Sequence, residues 1–137
     1  MRKKIFTCLL ALCVSMGLSP VSVIAASLPE IKPDMGLVVF YRNSSFKGGA
    51  VHLNIRSSDG SAGILKSGTM FYKYFEPGSR TFDVSTPSVA GSDLLTLDIE
   101  AGNTYFVRGE VLIGWPVGRP ALRQESESRA LNDLDKL

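Results

Sequence analysis

Apolar residues alternate with polar ones along several short stretches, and this period of two restricts the fold more than any other feature. Leu95, Leu97 and Ile99 alternate with polar residues, and stretches 51–55 and 81–86 show the same spacing. Because successive side chains of a β-strand point to opposite faces, the spacing predicts strands with one buried face. Glycine, proline, serine and asparagine cluster between the stretches and predict turns. We therefore expect an all-β domain over residues 36–125, a small antiparallel β-sandwich of about seven or eight strands.

The C-terminal residues follow a different pattern. Residues 126–137 contain neither glycine nor proline, and three leucines recur there at intervals of three positions. This spacing gives a helix one apolar face, and a serine at position 126 or 128 is a suitable N-cap. A helix of about ten residues is marginal in isolation. We therefore expect a short C-terminal helix that packs on the sandwich.

The first 25 residues have the layout of a cleavable secretory signal peptide. Three basic side chains follow Met1, an apolar run covers residues 5–18, and small residues lead to Ala25 and Ala26. The apolar run is shorter than the roughly 20 residues that span a bilayer, which favours cleavage over an uncleaved membrane anchor. Cleavage after Ala25 places Val23 at position −3, and we favour it over cleavage after Ala26.

Cleavage changes the chemistry of the chain. Cys8 and Cys13 both lie in the removed segment, and neither stands at a cleavage point where a lipid could be attached. The mature chain, which begins with a lead-in at residues 26–35, therefore has no disulfide and no thiolate ligand. Twelve basic and thirteen acidic side chains remain, a net charge of −1. We expect a periplasmic or secreted protein with no stable membrane anchor and no nucleic-acid partner.

The titratable residues of the mature chain predict no catalytic site. His52 is the only histidine, which leaves no histidine pair for a metal, and no serine lies in a Gly-x-Ser-x-Gly motif. Asp98 and Glu100 share one face of a predicted strand, and Glu110 lies on another, which is the arrangement of a solvated polar face. We therefore predict a non-enzymatic protein without a cofactor.

Four charged residues stand out because they occur near apolar positions. Arg42 ends the first predicted strand in phase with apolar residues, Arg108 and Glu110 share a strand face with an aromatic residue, and Arg119 follows an irregular loop. One interpretation is an Arg–Glu ion pair at the rim of the sandwich. The other is a binding spot for an anion or carboxylate beside residues 114–118.

Aromatic residues supply a second candidate surface. The predicted strand at residues 70–75 carries rings on both faces, and only one face of a sandwich strand enters the core. Tyr72 and Tyr74 share a face and could stack on a sugar or anchor a partner. Trp115 lies between Gly114 and Pro116. It could either contact a ligand or close the open end of the sandwich.

Several short motifs, taken in order, carry a resemblance to a known family. They are the strand at 36–42, the Glu-Pro-Gly turn at 76–78, the Ala-Gly-Asn turn with its strand at 101–108, and Gly-Arg-Pro-Ala-Leu at 118–122. Over residues 34–127 the chain resembles a family of small bacterial envelope proteins catalogued as a domain of unknown function, number 2846. It is also similar to the PEGA-type surface module. The resemblance implies an exported β-sandwich without established activity, often a lipoprotein, although this chain lacks the lipidation cysteine.

We expect a non-enzymatic binding or structural module of the bacterial cell envelope, with an envelope protein or a glycan as its partner. The alternatives are a small periplasmic hydrolase and an accessory subunit that pairs through an edge strand.

Overall fold

The computed structural model describes residues 28–45, 48–87, 91–113 and 118–137. Within them lie eight β-strands and one helix. In chain order they are β1 (Gly36–Arg42), β2 (Leu53–Ser57), β3 (Gly60–Leu65), β4 (Thr69–Phe75), β5 (Gly78–Ser85), β6 (Ser92–Ile99), β7 (Thr104–Leu112), β8 (Arg119–Glu125) and α1 (Glu127–Leu134). The predicted all-β sandwich with a short C-terminal helix is confirmed. The predicted signal peptide and Trp115 lie outside the described residues.

The strands form two four-stranded sheets that pack face to face. The first sheet has the order β4-β1-β7-β8 and the second has the order β3-β2-β5-β6. Pairing is antiparallel, as predicted, in every described pair except β1–β7, which is parallel. A parallel pair needs a long connection. Here the chain between β1 and β7 supplies it by forming β4 and the whole second sheet.

The main core lies between the two sheets and is wholly apolar. Phe40 of β1 packs against Phe82 of β5 with ring centroids 5.2 Å apart and nearly perpendicular planes. The sheets approach closely at Gly109, where an added Cβ would lie 2.8 Å from Leu65 and 2.9 Å from Leu53. A larger residue at this position in β7 would force these two leucine side chains to move, so glycine suits the close approach of the sheets.

A second, smaller core lies under α1 on the outer face of the first sheet. Val39, Tyr41 and Phe106 of the sheet pack there with Ala130 and Leu134 of the helix. Every residue of β1 is consequently buried, because the second sheet covers one face of this strand and the helix covers the other. Burying a leucine side chain contributes about 1.5–3 kcal/mol, which explains how so short a helix is held.

The edge strands of both sheets carry features that hinder pairing with other chains. A carboxylate oxygen of Asp93, in β6, accepts a hydrogen bond from the backbone N–H of Leu122, in β8, at 3.1 Å. Lys73 places a charged side chain on the core-facing side of edge strand β4, and its Nζ lies 3.5 Å from the carbonyl oxygen of Ser61. Both devices discourage edge-to-edge association. Among the described residues, the helix is too short to cross a membrane.

Candidate functional site

Helix α1 divides the outer face of the first sheet into two flanks with different chemistry. The β4 flank consists of Met70, Tyr72 and Tyr74 together with the preceding segment, residues 28–35, which we call the strap. The β7–β8 flank consists of four charged side chains of those strands and one of the helix: Arg108, Glu110, Arg123, Glu125 and Arg129. Most of the candidate residues from the sequence fall on one flank or the other.

On the β7–β8 flank the charged side chains pair with one another, three arginines with two glutamates. Arg108 lies directly opposite Arg123 in the strand register, a repulsive arrangement by itself. Glu125 relieves it by pairing with Arg108 at 2.9 Å, and Glu110 pairs with Arg123 at 2.6 Å. Arg129 of the helix reaches Glu125 at 3.5 Å. The flank is therefore a network of ion pairs that ties β7, β8 and α1 together, in which Arg108 Nε is buried without a hydrogen-bond partner among the described residues.

The sequence predicts an Arg–Glu ion pair, and in the structure Arg108 contacts two glutamates, of which Glu125 is the nearer. The Arg108–Glu110 distance is 3.8 Å, whereas Glu125 lies 0.9 Å nearer. Residues 108 and 110 occupy the same face of one strand, as predicted, but the antiparallel β7–β8 pair places Glu125 diagonally beside Arg108. The cross-strand neighbour is thus the nearer partner of Arg108, and the neighbour on its own strand is the more distant one.

Tyr41 joins the helix to the sheet below it. Its hydroxyl donates a hydrogen bond to a carboxylate oxygen of Asp133 at 3.0 Å. Burial, followed by this hydrogen bond and by the negative charge of Asp133, raises the pKa of Tyr41 above its usual value. The phenol is therefore held protonated and acts as a fixed donor to the helix.

Arg42 lies at the end of β1 as predicted, but it has no carboxylate partner in the described part of the chain. It is only 2 % exposed. Its guanidinium donates hydrogen bonds to the carbonyl oxygens of Gly48, at 2.7 Å, and Val51. Burial lowers the pKa of Arg42. These contacts attach the turn before β2 to the first sheet, so the side chain is occupied by the fold.

On the β4 flank, the two tyrosines differ in how far the fold covers them. Tyr74 is half-buried: its hydroxyl donates to the carbonyl oxygen of Glu30 at 2.5 Å, and Lys32 Nζ lies 4.2 Å from the centre of its ring. Tyr72 is 48 % exposed, and among the described residues its hydroxyl has no hydrogen-bond partner. The expectation of an exposed aromatic surface on this strand thus applies to Tyr72 more than to Tyr74.

The remaining candidate residues lie away from both flanks or outside the described residues. Arg119 is exposed at the start of β8, where it borders a shallow cavity with Asp93 and Leu112. Its predicted neighbours at 114–117, including Trp115, lie outside the described residues.

The titratable residues considered for catalysis are dispersed. His52 is exposed just before β2, and Asp98 is exposed on the outer face of the second sheet. Glu110 is engaged in the charge network. In the described ranges no group of three or more His, Cys, Asp or Glu side chains is placed to hold a metal ion.

A groove of about 500 Å³ lies where the strap passes the start of α1. Three of its polar side chains already have partners: Glu125 is paired with arginines, the Ser126 hydroxyl accepts from the Arg129 N–H, and Asn103 donates to Glu100. None of the buried side-chain atoms that lack a partner in the described residues lines this groove. Two further polar side chains of the groove, Gln124 and Glu127, are exposed to solvent.

The sequence of this chain matches a model of a known protein family. The family described as "Protein of unknown function (DUF2846)" matches residues 32–118, more than half of the chain. The chain belongs to the DUF2846 family. This DUF2846 domain therefore includes Tyr72, Arg108 and Lys32, whereas β8 and α1 lie beyond the matched residues. No curated protein matches the chain. The similarity to the PEGA module remains a prediction.

Sequence reasoning missed Lys32 and the partners of Arg108. Lys32 lies in the strap, which has no periodicity that would place it beside a strand. Glu125 and Arg123 lie two positions apart and so share one face of β8, but whether they lie beside Arg108 depends on how β7 and β8 are aligned. The register itself was the missing information.

Proposed function

We propose that the mature DUF2846 domain is an exported, non-enzymatic binding module of the bacterial cell envelope, and that its binding surface is the β4 flank. The observation that carries the proposal is Tyr72. It is a large, half-exposed ring on a supported strand, and its hydroxyl has no partner among the described residues. Tyrosines in this situation commonly serve as binding anchors, because they offer both apolar area and a hydrogen-bonding group.

The neighbouring side chains favour the β4 flank over the opposite one. Arg108 and Glu125, on the β7–β8 flank, are engaged with each other and with further charges. A ligand there would have to displace existing ion pairs before making its own. On the β4 flank, Tyr72 can be contacted without breaking any contact that holds the described fold.

Export is supported by the sequence features before residue 26. A basic start, an apolar run too short to span a bilayer and small residues at Ala25 together favour cleavage and release from the membrane. The location we propose is the periplasm or the medium.

The experiment has two parts. The full chain is expressed in a bacterium with an outer membrane, and the mass and N-terminus of the product are determined in each cell fraction. We expect a periplasmic or secreted product that begins at Ala26. The purified product is then sedimented with an envelope fraction of the same cells.

We expect the product to sediment with the envelope fraction and Tyr72→Ala to lose this association while remaining folded. Arg123→Ala is the matched control, since it removes an exposed side chain from the opposite flank. An unprocessed cytoplasmic product would contradict the export proposal. Equal sedimentation of the wild type and Tyr72→Ala would contradict the assignment of the surface.

A further inference from the structure

The two ends of the sandwich differ in charge. Consecutive strands run in opposite directions, so the turns lie at two ends, and we call the end that holds the strap and the start of α1 the acidic end. Outside the charge network, the described residues place seven carboxylates there: two in the strap, one in each turn before β3, β5 and β7, one near the end of β6 and one at the start of α1. Three cations oppose them, namely Lys32, Lys73 and Arg80. The acidic end therefore carries a clear excess of negative charge.

At the opposite end the balance of charge is reversed. Among the described residues it has three carboxylates and four cations, which are Arg42, Lys66, Arg119 and Lys136. Two of the carboxylates, those of Asp93 and Asp133, accept hydrogen bonds within the fold, and Asp135 is exposed. This end is weakly positive. The acidic end of one copy is therefore attracted to the opposite end of another, and two acidic ends repel each other.

The acidic end also contains an apolar cavity. It has a volume of about 200 Å³ and adjoins the groove described above. Leu28 and Ile31 of the strap line it together with Phe106 of β7 and Leu131 of α1, and Glu127 is its charged lining residue. Ile31 is 52 % exposed. Apolar surface of this kind is stabilised when another apolar group covers it.

The opposite end presents two neighbouring exposed apolar side chains. Leu112 ends β7 and Ile113 follows it, and their exposures are 42 % and 68 %. We call these two residues the apolar tip. Arg119 pairs with Leu112 in the strand register and is exposed, so a cation lies beside the apolar tip. The opposite end thus carries the chemical complement of the cavity, which is apolar with a carboxylate.

We propose that copies of this chain associate end to end, with the apolar tip of one copy in the strap cavity of the next. Ile113 enters among Ile31, Phe106 and Leu131, and Arg119 lies near Glu127 of the neighbouring copy. The attraction between the ends orients the approach. Because the two surfaces lie at opposite ends and differ from each other, the contact is heterologous and repeats to form linear chains. Tyr72 takes no part in the contact, so the inference does not depend on the proposed function.

A second copy explains more of the molecule than other occupants do. An anionic bilayer would attract the weakly positive end and accept the apolar tip, but it would repel the acidic end and leave the cavity uncovered. A second copy covers both surfaces with one contact. The apolar tip is small compared with the roughly 800 Å² that each side of a stable interface buries. We therefore expect a weak association that depends on protein concentration.

The test measures the mass of the product purified after expression of the full chain, by sedimentation velocity and light scattering over a range of concentrations. We expect the average mass of the wild type to rise with concentration, and to rise less in high salt. Ile113→Ser and Ile31→Ser should each weaken the association about tenfold or more, because each exposes apolar surface that the contact buries. Both residues are exposed in the single copy, and circular dichroism with thermal melts confirms that the variants fold.

Leu94→Ser is the matched control. Leu94 is an exposed apolar residue on the outer face of the second sheet, away from both surfaces of the contact. We expect its association to equal that of the wild type.

Mixing the two variants distinguishes a head-to-tail contact from a symmetric one. The Ile113→Ser copy keeps an intact cavity, and the Ile31→Ser copy keeps an intact apolar tip. An equimolar mixture should therefore form dimers, although each variant alone remains monomeric. These dimers should not grow into longer chains, because the surfaces left at their ends are the altered ones.

Four results would overturn the inference. The first is a mass of the wild type that does not change with concentration. The second is a mixture that stays monomeric, or one variant that associates as the wild type does, since either result excludes contact between the apolar tip and the cavity. The third is a Leu94→Ser variant as impaired as Ile113→Ser. The fourth is sedimentation of the wild type, but not of Ile113→Ser, with vesicles of phosphatidylglycerol and phosphatidylethanolamine while the protein alone stays monomeric; a bilayer is then the occupant of the apolar tip.

Discussion

The two flanks of the outer face differ in how completely the fold uses their polar groups. On the β7–β8 flank, Arg108 and Glu125 are almost buried and charge-paired, with exposures of 14 % and 13 %. On the β4 flank, the hydroxyl of Tyr72 and the ammonium group of Lys32 have no polar partner among the described residues. The two regions lie on the same face of one sheet and are separated by one helix. Charged residues on a sheet face are thus a poor guide to function unless their partners are known.

The largest loss of stability should come from removing Arg108, the central residue of the charge network. Arg108→Ala leaves Glu125 with only the more distant Arg129, so we expect the free energy of unfolding to fall by about 2–3 kcal/mol, less than for a fully buried pair. Urea denaturation monitored by circular dichroism measures it. Unchanged stability, combined with loss of sedimentation with the envelope fraction, would reverse our assignment of the two flanks.

Tyr41→Phe tests the connection between the helix and the sheet, with an expected loss of about 1–2 kcal/mol at neutral pH. The raised pKa of Tyr41 also gives a pH dependence. The unfolded phenol ionises near pH 10, so the stabilisation is complete below about pH 10 and declines as the pH rises above it. We expect the stability of the wild type to fall more steeply than that of Tyr41→Phe above pH 10. Parallel curves would show that the hydroxyl is not held protonated by Asp133.

A smaller loss of stability is expected from removing Arg123, the exposed member of the network. Arg123 is 56 % exposed, so its ion pair with Glu110 is screened by solvent, and Arg123→Ala should reduce the free energy of unfolding by less than about 1 kcal/mol. The difference from the wild type should shrink further in high salt. A loss equal to that of Arg108→Ala would mean that the network acts as one unit.

A similarly small effect on stability is expected on the β4 flank. Tyr72→Ala removes a half-exposed ring that has no hydrogen-bond partner among the described residues but packs edge to face on Tyr74, so we expect the free energy of unfolding to fall by about 0.5–1 kcal/mol. Thermal unfolding measures it alongside the binding experiments above. A substantial loss of stability would show that the ring serves the fold and would remove the contrast between the flanks.

Much of the fold could be predicted because its signals are local. The alternation of apolar and polar residues over 95–99, together with the glycines in the turns, predicted the strands. The stretch at 36–42, which is mostly apolar and does not alternate, forms β1, a strand that is buried on both faces. The C-terminal leucine spacing gave a helix that begins with Ser126 as its N-cap. These features depend on the geometry of a few neighbouring residues.

The candidate site was only partly predictable. The sequence placed Arg108 and Glu110 on one face with Phe106, which the strand geometry ensures. It could not identify Glu125 as the partner, because that depends on the register between β7 and β8. For Arg42, the sequence predicted its position at the end of β1 but not its partners, which are backbone carbonyl groups of a following turn.

By itself, the sequence determined the strand-rich character of this protein, its turns, its terminal helix and which side chains share a strand face, since each follows from backbone geometry over a few residues. Only the tertiary structure decided that α1 covers the middle of one outer face, that the strap covers Tyr74 and leaves Tyr72 exposed, and which charges pair. Those outcomes depend on contacts between segments far apart in the chain. The strap and Tyr74, for example, meet across 44 positions of sequence.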